Sequence, residues 1–150
     1  MAFGLLAGQR DHAARQEDRD VQARMKALMK SGQVESGIAV FIEYWNQTPW
    51  PKIPLAVREQ LIARASQISA EAAAVSMDTT NSYPISAPVH LIYGETSPSP
   101  AQRIVARLAE TLVSASVEKI PNAGHMSLLR NPEKYISGIL RLVRQRSQSK

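Results

Sequence analysis

Three histidines and no cysteine limit the chemistry open to this 150-residue chain. Imidazole is the side chain that takes or gives a proton near neutral pH, so each histidine is a candidate. His125 stands in the loop-forming run Pro121-Asn122-Ala123-Gly124-His125, directly after the short segment Ser116-Val117-Glu118-Lys119-Ile120. Taken by itself, it reads as a loop histidine with an exposed or capping role. His90 falls inside the apolar run Val89-His90-Leu91-Ile92-Tyr93, where packing in a strand is the simple expectation. His12, among Arg10, Asp11 and Arg15, reads as a solvated helix residue. The three have no metal-ligand spacing and no carboxylate cluster beside them. Glu17, Asp18 and Asp20 form an acidic run near a helix start, which the helix dipole accounts for without a metal. No cofactor is implied. Lack of cysteine excludes a thiolate nucleophile, a thiolate metal site and a disulfide framework.

These candidates must be held by regular elements, and the pattern changes near Ala87-Pro88. Up to about residue 77 the apolar residues recur at helical spacing. Val21, Met25, Leu28 and Met29 form one stripe, with Gly32 a plausible stop. Val34, Ile38, Phe41, Ile42 and Trp45 form a second, broken by the segment Asn46 to Pro51. Pro54 opens a third helix carrying Leu55, Leu61, Ile62, Ala65 and Ile68 inward and running through the alanine-rich stretch Ala70 to Ala74. Residues 78–88 read as a connecting loop. Beyond Pro88, Val89 to Tyr93 is a buried strand stopped by Gly94. A helix with Ile104, Val105, Leu108 and Leu112 on its inner face follows. Ser116 to Ile120 is a second strand, and Pro132 begins a last helix with Tyr135, Ile136, Ile139, Leu140 and Val143 apolar. The expected fold is α/β: a mostly helical half, residues 1–87, then a β-α-β-α unit with parallel strands, residues 88–150.

Composition narrows the function classes. The chain is 44% hydrophobic and 21% charged, in the range of a globular protein. It has no apolar run near the ~20 residues of a membrane span and no secretory signal pattern, so the expected address is the cytoplasm. The net charge of +5 resembles a nucleic-acid signal until it is located. Arg141, Arg144, Arg146 and Lys150 crowd the last ten residues, which hold no acid, and the rest is close to neutral. Without aromatics interleaved in that tail, a solvated end is expected and no nucleic-acid partner.

The motifs of the second half have a further meaning in their order. A short strand ending in Gly94-Glu95, a helix, a second strand, the loop Ile120-Pro121-Asn122-Ala123-Gly124-His125-Met126 and a helix opened by Asn131-Pro132-Glu133 resemble the end of an α/β-hydrolase. The resemblance covers residues ~88–143. It implies that His125 is the general base of a catalytic triad, taking a proton from a serine hydroxyl or activating water against a covalent ester. A loop just past a strand's C-terminal end suits that task, because open α/β sheets bind ligands there. The helical half, with Phe41-Ile42-Glu43-Tyr44-Trp45-Asn46, resembles the cap inserted between sheet strands six and seven. Tyr44 and Trp45 are then candidates for the substrate pocket, beside the alternative that they are core of a helical pair.

The resemblance also exposes what the sequence lacks. No Gly-x-Ser-x-Gly nucleophile elbow occurs, and Ser31-Gly32 and Ser36-Gly37 do not follow buried strands. The upstream glycine-rich oxyanion loop is missing as well. Ser97 occupies the position of the family's usual acid, and a serine cannot hold an imidazolium as a carboxylate does. Glu95 is nearby without being that acid. One expectation unites these absences: the chain carries the cap and last two strands of a longer hydrolase acting on an ester-like or carbon–halogen bond of a small molecule. Alone it would be inactive. The competing expectation is a non-catalytic module whose exposed sheet edge pairs with a companion chain.

Overall fold

The computed structural model describes residues 2–147; Met1 and Lys150 lie outside them, as do the side chains of Arg141 and Arg146, while Arg144 is exposed. The backbone divides into two units, residues 1–81 and 82–150. Together they make the α/β architecture: helices first, then two parallel strands with their helices.

In the first unit the stripe of Val21, Met25, Leu28 and Met29 lies on α1 (His12–Lys30). Gly32, at φ +82°, ends it as expected: the Gly32 N–H donates to the Met29 carbonyl and the Gln33 N–H to that of Leu28. This is the paired-bond cap that a left-handed glycine permits. α2 (Val34–Asn46) packs against α1. Met25 and Ile38 are fully enclosed, and Ile42, Trp50, Ile53 and Ala65 complete the core. The single third helix expected from Pro54 onward is two helices, α3 (Leu55–Ala63) and α4 (Ala65–Ser76), parted at Arg64. Leu61, Ile62 and Ile68 pack against the core. Leu55 does not: as the first residue of α3 it is 62% exposed, correcting its inward assignment.

The acidic run is also placed differently from expectation. α1 starts at His12, so Glu17, Asp18 and Asp20 lie beyond its first turn and the helix dipole does not explain them. Asp20 accepts a hydrogen bond from Gln16, and Glu17 accepts one from the Tyr44 hydroxyl. Asp18 is buried, and its Oδ2 accepts from Gln22 Nε2 at 2.8 Å and Ser76 Oγ at 2.6 Å. Burial outweighs those two bonds and raises its pKa above the usual carboxylate value. The folded state therefore holds this proton more tightly than the unfolded chain. Asp18's contribution is most favourable below the unfolded pKa and worsens as pH climbs to the raised one. Asp18→Asn keeps an oxygen for Gln22 and Ser76 without the buried charge. It is expected to resist guanidinium better than the parent at neutral pH, the gain shrinking towards about pH 3. Tryptophan fluorescence measures this; a variant less stable at neutral pH would show the charge to be favourable where it sits.

The second unit runs β1 (Val89–Gly94), α5 (Ser99–Thr111), β2 (Ala115–Ile120), the single turn α6 (Ser127–Arg130) and α7 (Glu133–Ser147). β1 and β2 pair in parallel, with Val89 opposite Ala115 and Gly94 opposite Ile120. That pairing needs a long crossover, which α5 supplies. α5 and α7 both pack on the sheet. Ile104 is buried on α5, and Tyr135 on α7 joins Ile120, Ala123 and Ile92 in a small cluster. Ile136, Ile139, Leu140 and Val143, also apolar and on α7, are about half exposed. Among the described residues the sheet has two strands, so β1 and β2 each keep one edge without a strand neighbour.

Candidate functional site

The C-terminal ends of β1 and β2 are laced together, and the lacing sets the turn that carries His125. The Glu95 N–H donates to the Ile120 carbonyl at 3.0 Å, and the Thr96 N–H to Ala123 at 2.9 Å. Thr96 Oγ1 donates to the same Ala123 oxygen. Approach this close requires Gly94, because a Cβ there would fall 2.3 Å from the Ala123 oxygen and 2.7 Å from that of Gly124. Asn122 takes the left-handed conformation at φ 52°, which asparagine tolerates better than most residues. Its N–H is held by Glu95 Oε2 at 3.1 Å, while Glu95 Oε1 meets Lys119 Nζ at 2.9 Å. The Lys119 ammonium, then the Asn122 N–H, lowers the Glu95 pKa, so this carboxylate stays ionised as a clamp on the loop.

Beyond the turn a second anchor appears. Ser127 donates from both its N–H and its hydroxyl to the Gly124 carbonyl, the latter at 2.7 Å. Its hydroxyl also hydrogen-bonds the buried phenol of Tyr135 on α7. His125 is therefore fixed between two tied residues, Ala123 and Ser127. Its side chain is half-buried, and that burial depresses its pKa below the ordinary histidine value. The lowered pKa favours the uncharged ring, the form a general base requires.

Ser97, at the position where the resemblance puts the acid, is buried. Its N–H donates to Gly94 and its carbonyl accepts from the Gln102 side chain at 2.7 Å, so it shapes the entry into α5. In the first unit Trp45 is buried, edge-on to Tyr44 with ring centres 5.3 Å apart and 6.4 Å from Phe41. The Tyr44 hydroxyl donates to Glu17 at 2.9 Å, tying α2 to α1, and burial followed by that carboxylate raises its pKa. The groove of about 580 Å³ between α2, α3 and α4 is lined by Ile42, Val57, Leu61, Ile68, Arg64 and Glu71, among others, and by neither Tyr44 nor Trp45.

Among the described residues no helix is long and apolar enough to cross a membrane, and no three His, Cys, Asp or Glu side chains converge as metal ligands would. No family model, curated protein or solved structure matches this chain. Sequence reasoning missed two features of the second unit. One is the Ser127–Tyr135 anchor. The other is a hydrogen-bonded set around His90, taken up below. Both depend on which residues face each other across elements.

Proposed function

We propose that this chain supplies the general base and the cap of an α/β-hydrolase, which cleaves an ester-like or related bond in a small molecule. His125 takes the proton, and the nucleophile and its acid come from polypeptide outside these 150 residues. The observation that carries this reading is the parallel β1–α5–β2 unit whose laced strand ends hold a half-buried histidine of lowered pKa. A base placed beyond the C-terminal ends of parallel strands stands where such sheets bind ligands. The edge of β1 without a strand neighbour supports the reading too, since parallel sheets are ordinarily several strands wide. The helices of the first unit fit the role of a cap, and their groove is large enough for part of a small substrate.

The test supplies the missing chemistry. The chain is expressed together with the polypeptide encoded immediately upstream of it, and hydrolysis of a panel of p-nitrophenyl esters is followed. Turnover above that of the 150-residue chain alone is expected to need a nucleophile elbow in the upstream part, and His125→Ala should lower that increment about 10²–10⁴-fold. Absence of any strand–elbow–helix sequence upstream, or an increment in turnover indifferent to His125, overturns the proposal. Stable association of a companion strand with the β1 edge and no turnover would favour the non-catalytic module instead.

A further inference from the structure

The register of the two strands creates a second constellation, on the sheet face that α7 covers. His90 stands opposite Ser116, and Glu118 lies two residues further along the same face of β2. His90 Nδ1 is 2.7 Å from Ser116 Oγ, and His90 Nε2 is 2.8 Å from Glu118 Oε2. The imidazole side chain is 5% exposed and the carboxylate 20%, whereas Ser116 is exposed. We infer that Ser116 is a nucleophile activated by His90, with Glu118 as the residue that orients the ring, and that it accepts acyl groups from small activated esters.

Hydrogen-bond polarity sets the direction of proton flow. A carboxylate can only accept, so in the uncharged form of the ring Nε2 carries the hydrogen and donates it to Glu118. Nδ1 is then the acceptor, and the Ser116 hydroxyl donates to it at 2.7 Å in preference to the more distant Val89 carbonyl at 3.5 Å. A hydroxyl bonded to a base that is itself held by a third group is the arrangement that activates a weak nucleophile. Room for it is built into α7. A Cβ at Gly138 would lie 2.7 Å from Glu118 Oε2 and 3.0 Å from His90 Nε2. Glycine inside a helix costs about 1 kcal/mol relative to alanine, a cost that here makes space for the hydrogen-bonded His90 and Glu118 side chains.

The step balances without any further reagent. Ser116 Oγ bonds to the ester carbonyl carbon while its proton passes to His90 Nδ1. The bond from that carbon to the leaving oxygen breaks, and the leaving group departs as an alcohol with the proton returned by Nδ1. Water, deprotonated by the same nitrogen, then releases the acid and restores Ser116. This site is separate from His125, and the chain would carry it whether or not it joins a larger hydrolase.

The full chain is incubated with p-nitrophenyl acetate, quenched, digested and mapped by mass spectrometry. Acetylation of Ser116 is expected to outpace that of the chain's other serines about 10²-fold or more. His90→Gln keeps an amide that donates to Glu118 and an oxygen that accepts from Ser116, so the fold is retained while the base is lost. In this variant Ser116 should label no faster than the other serines, at an unchanged circular dichroism spectrum. Glu118→Gln should shift the pH midpoint of Ser116 labelling, which a purely structural partner would not do. Labelling of Ser116 at the rate of the other serines in the parent chain overturns the inference. So does fast labelling that survives His90→Gln.

Discussion

Gly94→Ala is expected to unlace the strand ends and to cost the second unit about 3 kcal/mol. The added Cβ would lie 2.3 Å from the Ala123 oxygen, 2.6 Å from its carbonyl carbon and 2.7 Å from the Gly124 oxygen. All three are backbone atoms, so no side-chain rotation can relieve the overlap. The loop must withdraw, and it takes with it the Ala123 carbonyl that accepts from both the N–H and the hydroxyl of Thr96. Overpacking alone costs roughly 1–3 kcal/mol, and each hydrogen bond lost adds about 0.5–1.5 kcal/mol. Because Trp45 and Trp50 are the chain's two tryptophans and both lie in the first unit, their fluorescence does not report this loss. Amide exchange does. The Thr96 N–H should exchange at least 10²-fold faster in the variant, the factor that about 2.7 kcal/mol corresponds to. Unchanged protection at Thr96 would mean that the loop tolerates a side chain, and Gly94 would lose its part in setting the His125 turn.

The reasons for such positions were only partly legible in the sequence. β1 could be read because five consecutive residues, Val89 to Tyr93, end at a glycine, and α1 because its apolar stripe ends at Gly32. Those signals are local: strand burial and a left-handed cap act within a few residues. The loop holding His125 was readable as a motif, but not its anchors, since Tyr135 meets Ser127 only once α7 folds back on the sheet. The His90–Ser116–Glu118 set was illegible for the same kind of reason. Its members share a face only in the register that pairs His90 with Ser116; a slip of one residue would turn Ser116 and Glu118 to the other face. Asp18 illustrates the opposite error. Its neighbours Glu17 and Asp20 made it look like one of an acidic run at a helix start, whereas its partner Ser76 is 58 positions away.

Trp50 is a large side chain whose burial local pattern did not indicate, and its removal is expected to have the largest effect on the first unit. Flanked by Pro49 and Pro51, it reads as part of a break between helices. The prolines instead set a short 3₁₀ turn, Trp50–Lys52, which drops the indole into the core beside Met25, Ile38 and Ile42. Two acids of α2 hold it there: Glu43 accepts the Trp50 backbone N–H, and Glu35 accepts the indole Nε1–H at 2.9 Å. Trp50→Ala empties that volume and strands the turn, at a cost of about 3–5 kcal/mol. Trp50→Phe separates packing from hydrogen bonding. It keeps most of the buried ring and loses only the bond to Glu35, whose carboxylate is 56% exposed and still has Arg58 at 3.7 Å. That loss should be near 1 kcal/mol. Guanidinium unfolding followed through the remaining Trp45 measures both variants. If Trp50→Phe proved as damaging as Trp50→Ala, the indole bond rather than ring burial would hold this corner of the core.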